Sequence, residues 1–275
     1  MQKELPFKET LLVSDMDGTL ITDKFEMPER NIEAVRLFIE GGGHFAFSTG
    51  RTVFSAGAFF DRVRVNAPCI LYNGAVLFDY SKAEFLWSAD LPESVFELCS
   101  AAIQRFPDLG AEVMTDDAVY IIQVNVSTRR HIINESIHYL MRDLADVPRT
   151  GAHKIIFTGE ADELQQALQF VERQPNGGWD FVFSSPNFLE ILPQNVSKGT
   201  TLVRLANYLH IKPEHTFAIG DYYNDLTLLK KAAFSGTPAN SPEELKKAAD
   251  VVVGPCEQGA VADFIDILSE KFAKA

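Results

Sequence analysis

Between residues 11 and 80, short apolar runs alternate with amphipathic helical repeats, and the apolar runs stop at polar clusters. This is the pattern of βαβ units in a parallel sheet, whose strands are buried on both faces and whose ligand-bearing loops follow the strands' carboxyl ends. Leu11, Leu12 and Val13 form the first run, which ends at Ser14 and Asp15. Pro28 opens a helix that carries Ile32, Val35, Phe38 and Ile39 on one face until Gly41, Gly42 and Gly43 stop it. Residues 44–47 repeat the strand pattern and end in Ser48, Thr49, Gly50 and Arg51. The spacing then predicts a helix over 52–61 and a strand over 69–72, before Asn73 and Gly74.

After about residue 81 the rhythm changes to strand-like and helix-like segments, with turns marked by Pro107, Gly110, Pro148, Gly151, Pro175, Gly177 and Gly178. From Val196 the α/β rhythm resumes. Leu202, Leu205 and Leu209 line a helix, 216–219 reads as a strand, 226–233 as a helix, and Val261, Phe264, Ile265, Leu268 and Phe272 mark a last helix. The expected fold is therefore α/β: a doubly wound, Rossmann-like, mostly parallel sheet formed by residues 1–83 and 189–275, with an α+β domain inserted at 84–188.

Charge narrows the partners. Of the 275 residues, 25 are Lys or Arg and 38 are Asp or Glu, a net of −13. The segment 84–188 holds 7 of the former and 16 of the latter, a net of −9 that leaves −4 elsewhere. Such an acidic surface repels nucleic acid and anionic lipid, while a small anion can still bind at a local cluster of donors. No apolar run approaches the roughly 18 residues of a spanning helix, so no membrane partner is expected. The opening MQKELPFKE mixes charges of both signs and leads straight into a strand, so no signal peptide is expected and a cytoplasmic location follows. Cys69, Cys99 and Cys256 are widely spaced and odd in number, which reads as buried filler and not as a disulfide framework or a thiolate metal site. The oligomeric state is not legible.

Four polar clusters fall at predicted strand ends or helix starts. In Ser14-Asp15-Met16-Asp17-Gly18-Thr19-Leu20, two carboxylates two residues apart project to the same side of an extended backbone and call for a cation such as Mg²⁺; an Asx-type turn closed by Gly18 reads equally well. Ser48-Thr49-Gly50-Arg51 suits a phosphate at a helix start, or simply caps that helix. In Ser197-Lys198-Gly199 the lysine stands at the helix end that disfavours cations, so either an anion compensates it or it is a solvated surface residue. In Gly220-Asp221-Tyr222-Tyr223-Asn224-Asp225, the two aspartates could share a metal ion, or Asp225 could be an ordinary first-turn helix acid.

Taken together, DMDGTL at 15–20, STGR at 48–51, YNGA at 72–75, SKG at 197–199 and GDYYND at 220–225 resemble the haloacid dehalogenase (HAD) superfamily of phosphohydrolases, and within it the Cof-like branch with a type IIB cap. The order of the motifs and the position of the insert match that branch. The resemblance implies Asp15 as nucleophile forming an aspartyl-phosphate, and Asp17 as general acid and then base. It implies Mg²⁺ held by the Asp15 carboxylate, the Asp17 backbone carbonyl and Asp221, with Asp225 close by. Thr49, the Met16 and Gly50 amides, Lys198 and Asn224 would hold phosphoryl oxygens. Tyr222 departs from the Asn or Ser of many relatives. Arg51 either contacts substrate or braces the loop through a salt bridge, with bracing the favoured reading. The insert would be a cap over a small phosphorylated metabolite such as a sugar phosphate, pyridoxal phosphate or a nucleotide monophosphate. Its candidate polar contacts are Arg129, Arg130, His153 and Lys154, although lone basic residues on such a surface are more often simply solvated. A phosphosugar mutase of the phosphomannomutase type is the nearest rival. A non-catalytic phosphometabolite-binding regulator is a weaker one, because a pure binder has no need of Asp17.

Overall fold

The computed structural model describes residues 6–175 and 177–272; residues 1–5 of the opening stretch lie outside the described residues. The chain divides into two compact units, residues 1–86 with 197–275, and residues 87–196.

In chain order the first unit begins with β1 (Leu11–Ser14), α1 (Glu29–Glu40), β2 (His44–Phe47), α2 (Val53–Gly57), α3 (Phe60–Val63), β3 (Cys69–Leu71) and β4 (Val76–Asp79). Strand β5 (Glu84–Ser88) crosses into the second unit. That unit continues with α4 (Val95–Arg105), β6 (Gly110–Thr115), β7 (Val119–Gln123), α5 (Val126–Asn134), β8 (Tyr139–Met141), β9 (Ala152–Thr158), α6 (Ala161–Glu172), β10 (Trp179–Ser185) and β11 (Phe188–Pro193). The first unit resumes with α7 (Lys198–Tyr208), β12 (Thr216–Ile219), α8 (Leu226–Lys231), β13 (Phe234–Pro238), α9 (Glu243–Ala248), β14 (Val251–Val253) and α10 (Ala260–Phe272).

The first unit's main sheet has the order β14-β13-β12-β1-β2, and its strands are parallel, with Leu11 opposite Thr216 on one side and His44 on the other. Strand β1 is buried along its whole length, as its unbroken apolar run requires. The chain leaves β1 toward β2 on one side and later returns to β12 on the other. The order therefore reverses at β1, and such a reversal opens a crevice at the carboxyl ends of the strands.

Two local expectations are corrected. The helix over 52–61 is split into α2 and α3: a Thr52/Ser55 capping box starts α2, and Gly57 ends it where a side chain would press on the Tyr80 ring, 3.1 Å from a Cβ. The strand over 69–72 stops at Leu71, because Tyr72 turns into the left-handed region at φ 50°.

The second unit is a six-stranded sheet, β10-β11-β9-β6-β7-β8, antiparallel except between β7 and β8. Its core joins Val95, Leu98 and Ala102 of α4 and Leu164, Ala167 and Val171 of α6 to Ala111, Val113, Ile155, Phe157, Leu189 and Ile191 of the sheet. By strand alternation Glu112, Lys154 and Glu190 point to the other face. Gly110, read as a turn, begins β6, which lies in the middle of this sheet. The second junction between the units lies at 196/197 and not at 188/189, because β11 pairs with β9 and β10.

Candidate active site

The N–H of Asp15 bonds to the Ile219 carbonyl at 2.9 Å, extending the β1–β12 ladder by one residue and fixing Asp15 at the rim of the crevice. The chain then turns sharply, since the Met16 carbonyl accepts from the N–H groups of Thr19, Leu20 and Ile21. Gly18 takes φ 79°, and a Cβ there would lie 2.4 Å from an Asp221 carboxylate oxygen. Only glycine lets this loop close against the one after β12.

Lys198 is the first residue of α7, behind a Ser197/Thr200 capping box. Its side chain is fully buried, with Nζ 2.5 Å from Asp15 Oδ1 and 2.6 Å from Asp225 Oδ1. A lysine at a helix start is thus compensated by two carboxylates, and the solvated-surface reading of Lys198 falls away. Asp225 acts as a helix-start acid: Oδ2 accepts the N–H groups of Asp221 (3.0 Å) and Tyr222 (3.2 Å), while Oδ1 meets Lys198. Asp221 receives a hydrogen bond from Thr19 Oγ1 at 3.3 Å, a contact nothing in the sequence signalled.

One carboxylate oxygen from each of Asp15, Asp221 and Asp225 lies within 4.8 Å of the others. Three acids with one lysine leave surplus negative charge in a buried place. Burial first, and then the Asp225 charge, push the Asp15 carboxyl up to about 7 against the pull of Lys198. Burial and the charges of Asp15 and Asp225 likewise raise Asp221 well above the carboxylate range. Burial alone would lower Lys198, but the two aspartates hold it above its ordinary value. An all-oxygen set under mutual repulsion fits a hard divalent cation, whose charge would relieve that repulsion.

Asp17 is not one of these three acids. Its carboxylate receives Arg51 Nε at 2.8 Å and Nη2 at 2.6 Å, a bidentate fork. The turn at Met16 ends the extended backbone after Asp15 and Arg51 holds the second carboxylate, while the Asp17 charge still adds to the rise of the Asp15 carboxyl. Arg51 is itself 2% exposed and lies against the Phe25 and Phe59 rings, 5.7 and 5.4 Å from their centroids. Its bracing contact is therefore present, while half of the Asp17 side chain faces solvent.

Thr49 is buried, and its Oγ1 accepts the Arg51 N–H at 3.2 Å. Asn224 Nδ2 donates to Asn73 Oδ1 at 3.0 Å. Two buried polar atoms in these loops, Ser48 Oγ and Asn224 Oδ1, have no protein partner. Met16 is fully buried and Gly50 partly so. Tyr222 packs edge-on against Tyr223 at 5.0 Å.

The second unit's candidate contacts separate into two kinds. Arg129 and Arg130 lie on the exposed side of α5. His153 and Lys154 are buried, with His153 Nε2 within hydrogen-bond distance of Asp116 Oδ1 at 2.7 Å and Lys154 Nζ ion-paired to Glu190 Oε2 at 3.1 Å. The free cysteines Cys69, Cys99 and Cys256 are all buried. Among the described residues no helix is long and apolar enough to cross a membrane.

An α/β sheet that gathers buried carboxylates and a lysine at its switch point has the makings of a phosphoryl-transfer enzyme. A family model described as haloacid dehalogenase-like hydrolase matches residues 12–265, and the chain belongs to that family. It is therefore an enzyme of that hydrolase family. The HMP-PP phosphatase of Yersinia pseudotuberculosis serotype O:1b is 27% identical over 264 residues, covering 93% of each chain. A haloacid dehalogenase-like hydrolase from Bacteroides thetaiotaomicron is similar in structure, with 25% identity, a TM-score of 0.82 and coverage of 94% of this chain and 99% of that one. A HAD subclass IIB sugar phosphatase shares the fold at 18% identity, with a TM-score of 0.84 and the same coverage.

Proposed function

We propose that the protein hydrolyses small phosphomonoesters in the cytoplasm through an aspartyl-phosphate on Asp15, in a Mg²⁺-dependent reaction, with residues 87–196 as a type IIB cap. The observation that carries this reading is Lys198, buried between Asp15 and Asp225 beside Asp221 at the rim of the parallel sheet. In the first step an Asp15 carboxylate oxygen attacks phosphorus and the bond to the ester oxygen breaks; Asp17 supplies that oxygen's proton. In the second step Asp17 takes a proton from water, which displaces Asp15 from phosphorus. Lys198, Thr49, the Met16 and Gly50 amides and Asn224 hold the phosphoryl oxygens, and Arg51 keeps Asp17 oriented. Asp15, Asp221 and Asp225, with the Asp17 carbonyl, would hold Mg²⁺, which when bound screens the anionic nucleophile from the phosphate.

The name of the curated relatives, HMP-PP phosphatase, supports a small phosphorylated metabolite as substrate. The net charge of −9 over 84–188 argues against polyphosphorylated or long anionic ones. The test is phosphate release from p-nitrophenyl phosphate and a panel of sugar, nucleotide and pyridoxal phosphates, with Mg²⁺ and with EDTA. Release that needs the metal and vanishes in Asp15→Asn is expected. Release that survives either EDTA or the substitution overturns the mechanism, and no release from any ester overturns the reading.

A further inference from the structure

Resting on that reading, we propose that Asn73 is a positioning residue of the phosphate site, which sets the Asn224 amide and the 49–51 loop without touching the reacting atoms. Asn73 is the middle residue of a turn over Tyr72–Gly74, is 1% exposed, and has φ 54° and ψ 31°. Its neighbours also have positive φ, 50° at Tyr72 and 108° at Gly74. Two consecutive non-glycine residues in the left-handed region persist only where their surroundings over-determine them.

Those surroundings are the phosphate loops. The N–H groups of Tyr72 and Asn73 bond to the carbonyls of Arg51 (3.2 Å) and Thr49 (3.0 Å). The Asn73 amide packs on Gly50 so closely that a Cβ at Gly50 would lie 3.0 Å from its nitrogen. On the next residue, the Gly74 carbonyl accepts from Thr201 Oγ1 at 2.7 Å, and a Cβ at Gly74 would lie 2.3 Å from the Ser197 carbonyl. Asn73 Oδ1 accepts from Asn224 Nδ2 at 3.0 Å. One strained turn therefore meets the loops that carry Thr49, Lys198 and Asn224.

The chemical consequence lies in the Asn224 amide. An asparagine amide can present either its oxygen or its nitrogen to a given neighbour, and an acceptor decides which. Asn73 Oδ1 selects the amino end, and since an NH₂ group has two N–H bonds, the second serves a phosphoryl oxygen. Without Asn73 the amide is free to rotate, and the carbonyl would repel the phosphate.

The test uses Asn73→Gly, which tolerates a positive φ and removes only the amide. In the wild-type background kcat/KM for p-nitrophenyl phosphate should fall about 10- to 100-fold, the scale of a misplaced contact, with KM rising more than kcat falls. In an Asn224→Ala background the same change should cost no more than about 3-fold, since its effect passes mainly through Asn224. Equal losses in both backgrounds, or no loss in the first, overturn the proposal. A readout independent of turnover is the neutron structure of each variant, which tells an amide nitrogen from its oxygen. Asn73→Gly should show the Asn224 amide in more than one orientation, whereas Asn73→Asp, which keeps the acceptor, should show one. A single unchanged orientation in Asn73→Gly overturns the proposal. If the wild type hydrolyses no ester, the proposed function fails, and the structures alone decide the role of Asn73.

Discussion

At the carboxyl ends of the parallel sheet three aspartates gather about one buried lysine, whereas in the second unit Lys154 and His131 each face a buried glutamate. There Lys154 Nζ lies 3.1 Å from Glu190 Oε2, and His131 Nδ1 lies 2.9 Å from Glu112 Oε2 with Glu135 at 3.3 Å from the other ring nitrogen. Burial alone would lower His131, but Glu112 and Glu135 more than offset it and hold the imidazole up to about 10. These contacts join β9 to β11 and α5 to β6 and leave little for a ligand to gain. An unmatched cluster keeps its repulsion, and a bound cation or phosphoryl group can convert that repulsion into affinity. The first unit tolerates the mismatch because the ladder around β1 and the caps of α7 hold the charges in place.

The sharpest way to break this comparison is Asp15→Asn. It should lower turnover by about four orders of magnitude or more while leaving metal-free thermal stability unchanged or raised, because one of three repelling charges is gone. A lowered melting temperature would show that the cluster is structural. In the second unit the opposite is expected: Lys154→Met takes the cation away from buried Glu190, at a cost of about 3 to 5 kcal/mol, and adding Glu190→Leu should restore most of it. Both tryptophans, Trp87 and Trp179, lie in residues 87–196, so urea unfolding followed by tryptophan fluorescence isolates that unit.

A pH series separates the units in a second way. Asp15 ionises near pH 7 in the folded protein and near 3.8 ordinarily, so the folded state binds the extra proton between those values and metal-free stability falls as pH rises through that window. His131 is raised from 6.5 to about 10, so its contribution is complete below pH 6.5 and is lost as pH climbs to 10. Added Mg²⁺ should remove the first decline, seen by circular dichroism, and leave the second, seen by tryptophan fluorescence. A second decline that also vanishes with Mg²⁺ would dissolve the distinction. The smallest effect belongs to Arg129→Ala and Arg130→Ala: these exposed residues should change kcat/KM for p-nitrophenyl phosphate by less than about 2-fold.

The parts of the fold and site that were legible are those set by short stretches of chain. Leu11 to Val13, the glycines at 41–43 and the helix start at Ser197-Lys198-Gly199 each act through sterics, burial or bonds within one turn. Strand β6 was not legible, because Gly110 resembles a turn and Glu112 resembles a surface residue until His131, 19 positions later, pairs with it. Strand β13 is similar: Ser235 and Thr237 are buried, but Asp250 and the Gly220 carbonyl satisfy them from outside the strand.

Sequence alone determined that this chain has an α/β core with an insert, and that its polar clusters fall where such sheets bind ligands, because apolar periodicity and turn chemistry are local. Tertiary structure alone decided which charges meet: Lys198 with Asp15 across 183 residues, Arg51 with Asp17 across 34, and Asn224 with Asn73 across 151. Those distances close only when β2 and β12 dock on either side of β1 and bring their loops to one rim. Charge is felt over a few ångströms in a buried place, so which partners meet there is a property of the closed sheet and of no segment by itself.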